Sequence, residues 1–331
     1  MDERTADPPS EESQPGVRNE PSAGPKYFNK HKDHVPRGIG YMVLATSLFA
    51  AASALTKWLV GIYPVGEVVF ARSFSSFVVC AGVMLPITGF AVYKTHRLRD
   101  HFGRGISQTI SQTLFALAFT LMPLAGAVSI NFSAPLFSAL ISIVWLKERA
   151  TFARWSALLI GFVGVLIVTN PGRNSFTLGA LFALGNAVLY GSVTVAVRSM
   201  TKTESANTLM IWQLTILAFF HSFLLLFGVR WPVPLDALMM FGMGFLNAVG
   251  QYFWTKSLSL APATAVAPFY YLMLVWALGF GYFIWGDVPS AGLLTGSAIV
   301  VASGFFLFWR EARLQRSIAV VPRVPAPVKT P

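Results

Sequence analysis

The chain has 331 residues, 54% of them hydrophobic and only 12% charged, with a mean hydropathy of +0.59. Soluble domains carry about 25% charged residues, so these figures exclude a soluble globular protein and leave a membrane protein. The net charge of +11 does not point to nucleic acid, because Lys and Arg sit in short loops between apolar runs and not on one polar face.

Residues 1–37 begin MDERTADPPSEESQPGVRNEPSAGPK, rich in Pro, Glu, Ser and Gly without apolar periodicity, and read as a disordered cytoplasmic tail. No basic start leads into an apolar core with a small-residue cleavage site, so the segment is not read as a signal peptide. Ten apolar runs follow, at 38–60, 66–89, 105–122, 125–146, 152–169, 178–199, 206–228, 236–257, 262–285 and 289–309. Each is near the ~20 residues that a helix needs to cross the hydrocarbon core. The third and eighth are the weakest, interrupted by Ser, Thr, Gln and Asn. Helix is the expected state, because lone strands leave backbone groups unpaired in lipid and the alternation of a barrel is missing. Residues 311–331 read as a second, proline-broken cytoplasmic tail. Cys80 is alone in an apolar run, which excludes an internal disulfide and a cysteine-based metal cluster.

With the N-terminus inside, 17 Lys and Arg fall on the cytoplasmic side and only Arg173 and Arg230 outside. The positive-inside rule then puts both termini in the cytoplasm, and the cell's inner membrane is the expected location. A shift of 139 residues lays the span pattern on itself without a gap. It pairs Gly40 with Gly179, Ser53 with Ser192, Gln112 with Gln251, Pro123 with Pro262 and Glu148 with Asp287. Each repeat, 38–170 and 178–310, holds five spans. An odd number threads the second copy in the opposite sense, so the expected fold is an all-α integral membrane protein of ten helices in two inverted repeats. Such halves commonly enclose a site near the midplane.

The stretch PVGEVVFARSFSSF opens the second span with Glu67 and Arg72. Five residues separate them, about 140° around a helix after one full turn, so they are not natural partners. Lys57 across the short loop is the candidate partner of Glu67, which is expected to be structural or coupling. A guanidinium inside a span suits a carboxylate or phosphate of a substrate. The bland alternatives are snorkelling and capping of helix carbonyls. Gln108 with Gln112, and Asn247 with Gln251, stand one turn apart and share a face. They read as a polar lining, against a reading as interhelical glue. Asn131, Asn186 and Gln213 add single amides. Tyr270 and Tyr271 could stack on a flat ring, although ordinary packing serves as well. His221, alone in its span, reads as a hydrogen-bonded structural residue. HExxH, CxxC, GxSxG and Walker patterns are missing, and no cofactor or metal is expected.

The run LMPLAGAVSINFSAPLFSALISIVWLKERATFARWSALLIGFVGVLIV, residues 121–168, resembles the drug/metabolite transporter superfamily in its EamA-type branch. Pro135 in the fourth span, Glu148 at its end, and Gly161 and Gly164 in the fifth fill the family's places. EVVFARSF is similar to its second span, and the opening of the chain resembles S-adenosylmethionine and riboflavin uptake carriers. The second half departs from the pattern at Leu274, where proline is usual, and at Asp287, where glutamate is usual.

That resemblance implies a secondary transporter of a small hydrophilic metabolite, amino-acid-like molecules included, working by alternating access. Export by the same fold, a proton or a counter-substrate as coupling partner, and a channel or packing subunit stay open. An intramembrane enzyme is disfavoured, since the ionisable residues are scattered. The candidate substrate set is Arg72, Gln108, Gln112, Asn131, Asn247, Gln251, Tyr270 and Tyr271. Lys57, Glu67, Pro135, Glu148 and Asp287 are read as structural or coupling.

Overall fold

Long apolar segments satisfy their backbone only within themselves, and every described segment that crosses the core is helical. The structure is a computed structural model that describes residues 35–145, 152–169, 177–200, 203–260 and 269–319. Glu148, Arg173 and both terminal tails as far as residue 34 and from residue 320 lie outside the described residues.

The helices are α1 (Val35–Val60), α2 (Val65–Thr88), α3 (Leu98–Leu121), α4 (Leu124–Asn131), α5 (Ala134–Trp145), α6 (Phe152–Thr169), α7 (Leu178–Met200), α8 (Ala206–Phe223), α9 (Pro234–Leu260), α10 (Leu272–Trp285) and α11 (Ala291–Ala319). Short 3-10 turns follow α2 and α8. The last helix runs to Ala319, so the segment expected as a tail from residue 311 starts as helix. The fourth span is two helices, broken at Phe132–Ser133. Among the described residues, five segments are long and apolar enough to cross a membrane by length and composition: Pro36–Val60, Val65–Tyr93, Leu124–Val144, Leu178–Val197 and Ala206–Phe227. Leu158–Val168, Leu272–Trp285 and Ala291–Phe306 are shorter apolar helices. The expected ten spans are therefore matched in part. α3 and α9 fall short because they carry the amides and hydroxyls noted above.

The 139-residue shift holds in the helix boundaries. Leu98–Leu121 lands on 237–260, within α9; Ala134–Trp145 lands on 273–284, within α10; Phe152–Thr169 lands on 291–308, within α11. Packing obeys the same operation. α1 lies along α9 as α7 lies along α3, α2 meets α9 as α8 meets α3, and α5 meets α7 as α10 meets α1. The α6–α11 and α2–α8 pairs map onto themselves. Each half thus lays its first helix on the third helix of the other, and the halves interlock about a pseudo-two-fold axis.

Glycine makes the self-mapped α6–α11 contact possible. A Cβ on Gly164 would stand 2.9 Å from the Gly296 carbonyl oxygen and 2.9 Å from Val300, and one on Gly161 2.5 Å from Ser303 Oγ. Gly161–Ser303 and Gly164–Val300 are the same contact under the shift, so the crossing is isologous inside one chain.

Consecutive threading puts the α1–α2 loop and the α9 N-terminus on one face, here called the Tyr63 face, and the α2–α3 loop on the other, the Lys94 face. One large apolar cluster fills the middle and the Tyr63 end, with Leu59, Val68, Phe119, Leu124, Met243 and Ala277. Toward the Lys94 end the buried apolar residues fall into four small separate clusters, around Leu136, Met42, Cys80 and Ala81.

A candidate substrate site around Arg72

α2 places Arg72 seven residues past Val65, about 10 Å along the helix axis. Its Nη2 donates to Asn247 Oδ1 at 3.0 Å. Asn247 Nδ2 donates to Ser76 Oγ at 3.3 Å, and Ser76 Oγ donates to the Gly244 carbonyl at 2.9 Å. Gly244 allows this seam to close, since a Cβ there would sit 2.7 Å from the Arg72 carbonyl oxygen and 2.9 Å from Ser76 N. Arg72 has no carboxylate partner among the described residues, and its Nε has no hydrogen-bond partner there. A half-buried guanidinium held by one neutral amide keeps donors free for an anion.

Tyr190 stands within electrostatic reach of Arg72, and Tyr270 within reach of Tyr190. Tyr190 is 39% exposed although it lies mid-helix. It follows the exposed Val188 by two positions, which turns it about 160° away. Its exposure is therefore to interior space, not to the membrane side. Phe132 packs against the rings of Tyr270 and Tyr271, with centroids 5.7 and 5.2 Å apart.

Against Ser73, the residue after Arg72, lies His221, fully buried where α8 meets α2 and α3. Its Nδ1 is 2.7 Å from Ser73 Oγ, and its Nε2 is 3.4 Å from both Thr113 Oγ1 and the Thr109 carbonyl. The remaining amides divide. Asn186 donates to Asn131 at 2.8 Å and accepts from Ser111 at 2.7 Å, and Gln213 accepts from Arg104 at 2.8 Å. Both arrangements tie neighbouring helices together. Gln112 and Gln251 are half-buried, and neither makes a side-chain hydrogen bond among the described residues. Gln108 is buried with its Oε1 unpaired.

At the Tyr63 face the expected Lys57–Glu67 pair does not form. Lys57 Nζ lies 3.3 Å from Asp287 Oδ2 and 4.6 Å from the centre of the Trp285 ring. Glu67 instead accepts from the Arg230 backbone N–H at 2.8 Å. The α1–α2 loop does not bring the two side chains together, and the second half supplies both partners. Tyr63 donates to Asp236 Oδ2 at 2.6 Å, and that bond to a carboxylate raises its phenol above the ordinary value, keeping it a donor. All three contacts clamp the first half to the second. Pro135 is the second residue of α5, just after the break, where a missing N–H removes no helical bond.

Sequence reasoning missed Tyr190, Ser73, Ser76, Thr109 and Thr113. Small hydroxyl residues in a span usually bond their own helix backbone, as Thr109 and Thr113 also do here. The apolar grooves between α3 and α8 and between α5 and α6 are lined by Ile106, Ile110 and Phe220, and by Leu136, Trp155 and Phe162. The second lies apart from the polar centre, and the first reaches its His221 end through Thr109 and Thr113.

The EamA-like transporter family matches the chain twice, over residues 36–170 and 177–309. The S-adenosylmethionine uptake transporter of Rickettsia conorii is 26% identical over 284 residues, covering 83% of this chain and 94% of the relative. The riboflavin transporter of Vibrio cholerae is 31% identical over 212 residues, covering 62% and 70%. Solute carrier family 35 member G1 of Mus musculus is 30% identical over 308 residues, covering 87% and 81%. A solved structure described as "Crystal structure of protein" superposes with a TM-score of 0.57 at 19% identity, over 85% of this chain and 98% of that one, a likeness of fold.

Proposed function

The chain belongs to the EamA-like transporter family, and from that premise we propose that it moves a small hydrophilic metabolite bearing an anionic group by alternating access, with Arg72 as the anchor for that group. The observation that carries this reading is the half-buried Arg72 guanidinium, held by Asn247 and lacking a carboxylate among the described residues. Tyr190 beside it, and Tyr270 next to Tyr190, offer flat faces to a ring. Gln112 and Gln251, related by the repeat and making no side-chain hydrogen bond among the described residues, serve as a polar lining. The protein sits in the cell's inner membrane with both tails in the cytoplasm, the Tyr63 face outward and the Lys94 face inward. The contacts Lys57–Asp287, Tyr63–Asp236 and Glu67–Arg230 then close the outer end. The divided apolar clusters at the other end suit an opening toward the cytoplasm.

The relatives supply the probes. Purified protein is heated with S-adenosylmethionine, riboflavin, nucleosides or amino acids, and a ligand of the folded state raises Tm. Charge-assisted hydrogen bonds contribute about 1.5–3 kcal/mol, so Arg72→Gln should weaken the stabilising ligand about ten- to hundred-fold. An undiminished shift in Arg72→Gln would remove the anchor assignment. Counterflow separates a carrier from a channel: vesicles preloaded with the unlabelled ligand accumulate label transiently only if the protein is a carrier.

A further inference from the structure

Five buried side-chain atoms have no hydrogen-bond partner among the described residues, and four of them lie on one face of α3. They are both ring nitrogens of His101, Arg104 Nε and Gln108 Oε1; the fifth is Arg72 Nε. His101, Arg104 and Gln108 fall within an arc of about 60° on a helix, and they are 1%, 4% and 3% exposed. Across from them is α8. Arg104 Nη2 donates to the Leu209 carbonyl at 2.7 Å and to Gln213 Oε1, and the His101 ring packs 5.6 Å from Trp212. Arg104 has no carboxylate partner among the described residues.

The repeat provides an internal control. The mates of Arg104, Gly105 and Gln108 are Met243, Gly244 and Asn247, on the face of α9 that meets α2. Both glycines permit a close crossing: a Cβ on Gly105 would stand 2.9 Å from Ile216 Cβ, and one on Gly244 2.9 Å from Ser76 N. At the α2–α9 crossing Asn247 is matched by Arg72 and Ser76, only Arg72 Nε is left unpaired among the described residues, and the mate of Arg104 is a buried methionine. At the α3–α8 crossing the same positions hold a cation, an imidazole and an amide that leave atoms unpaired. A dry unpaired polar group favours any arrangement that wets it.

We infer that the Lys94-face half of the α3–α8 interface parts during the working cycle while the α2–α9 interface stays shut. The parted seam presents Arg104, with His101 and Gln108 one turn to either side, as a second station for an anionic group between the cytoplasm and Arg72. This rests on the alternating-access reading above, but the seam needs no identified substrate to be tested.

In a Cys80→Ala background, Gln108→Cys and, on the shut interface, Ser76→Cys are placed singly and the protein is set in nanodiscs. Water-soluble methanethiosulfonates of both charges are added, with rates normalised to those with free cysteine. An interface open for a minor fraction of the time labels about ten-fold faster than one that stays shut, so position 108 should outpace position 76 by that factor. The anionic reagent should be favoured at 108, and Arg104→Gln should abolish the preference. Equal labelling at the two positions overturns the opening. Labelling at 108 without charge preference overturns the anion station. Should the cysteine variants fail to fold, Gln108→Leu decides: replacing an unpaired amide by an apolar side chain should raise Tm by about 2 °C, and a lowered Tm overturns the claim. A chain that binds no metabolite would still be labelled, so failure of the functional reading and failure of the seam are separate outcomes.

Discussion

At the residue scale the protein separates charges that have partners from charges that wait for one. Lys57 and Asp287 form a pair whose side chains are 11% and 31% exposed, backed by the Trp285 ring. A partly exposed pair is worth about 0.2–1 kcal/mol. A double-mutant cycle of Lys57→Ala and Asp287→Ala, read by Tm, should return a coupling in that range. Zero coupling would mean that the clamp acts through the ring alone. Arg72→Lys tests geometry apart from charge: lysine keeps the charge but loses the planar fork, so ligand stabilisation should fall nearly as far as in Arg72→Gln, and full retention would make Arg72 a simple counter-charge. Arg72 was legible in the sequence because a guanidinium in an apolar run needs a reason. Its partner Asn247 lies 175 positions away, beyond any local pattern. The Lys57 expectation failed for the same reason: nearness in sequence suggested Glu67, and the fold supplied Asp287 from the other half.

At the element scale the discontinuity in the fourth span looks like the work of Pro135, but the second half argues otherwise. Leu274 stands at the matching position, and there the helix also begins anew, with Tyr271 as a turn before Leu272. Packing against Phe132, Tyr270 and Tyr271 therefore holds the break, and proline is compatible with it. Pro135→Leu should change stability by less than about 1 kcal/mol, the range of tolerated apolar exchanges, measured as Tm; a loss of several degrees would return the break to proline. The α6–α11 crossing has no such tolerance. Gly164→Leu drives a side chain against the Gly296 backbone, where overpacking costs about 1–3 kcal/mol or more, and unchanged Tm would contradict the close approach. The helices themselves were legible from apolar run lengths. The break was not, because an apolar run of 20 residues reads the same whether or not one turn interrupts it.

At the scale of the whole molecule the gapless 139-residue repeat was visible in the sequence, and it reappears in helix boundaries, in paired interfaces and in the isologous α6–α11 contact. The sequence could not reveal that the halves exchange their first and third helices, since apolar faces do not name their partners. The interlocking makes the opposite threading of the halves the premise on which the proposed site and its opening to either side depend. Repeat mates on exposed turns test it. Phe90 follows α2 and Val229 follows α8, 139 positions apart, and they are 79% and 53% exposed. In a Cys80→Ala chain, Phe90→Cys and Val229→Cys are challenged separately with a membrane-impermeant thiol reagent on intact cells and after permeabilisation. Opposite threading predicts that position 229 is labelled on intact cells and position 90 only after permeabilisation; labelling of both positions from the same side would contradict the account at its root.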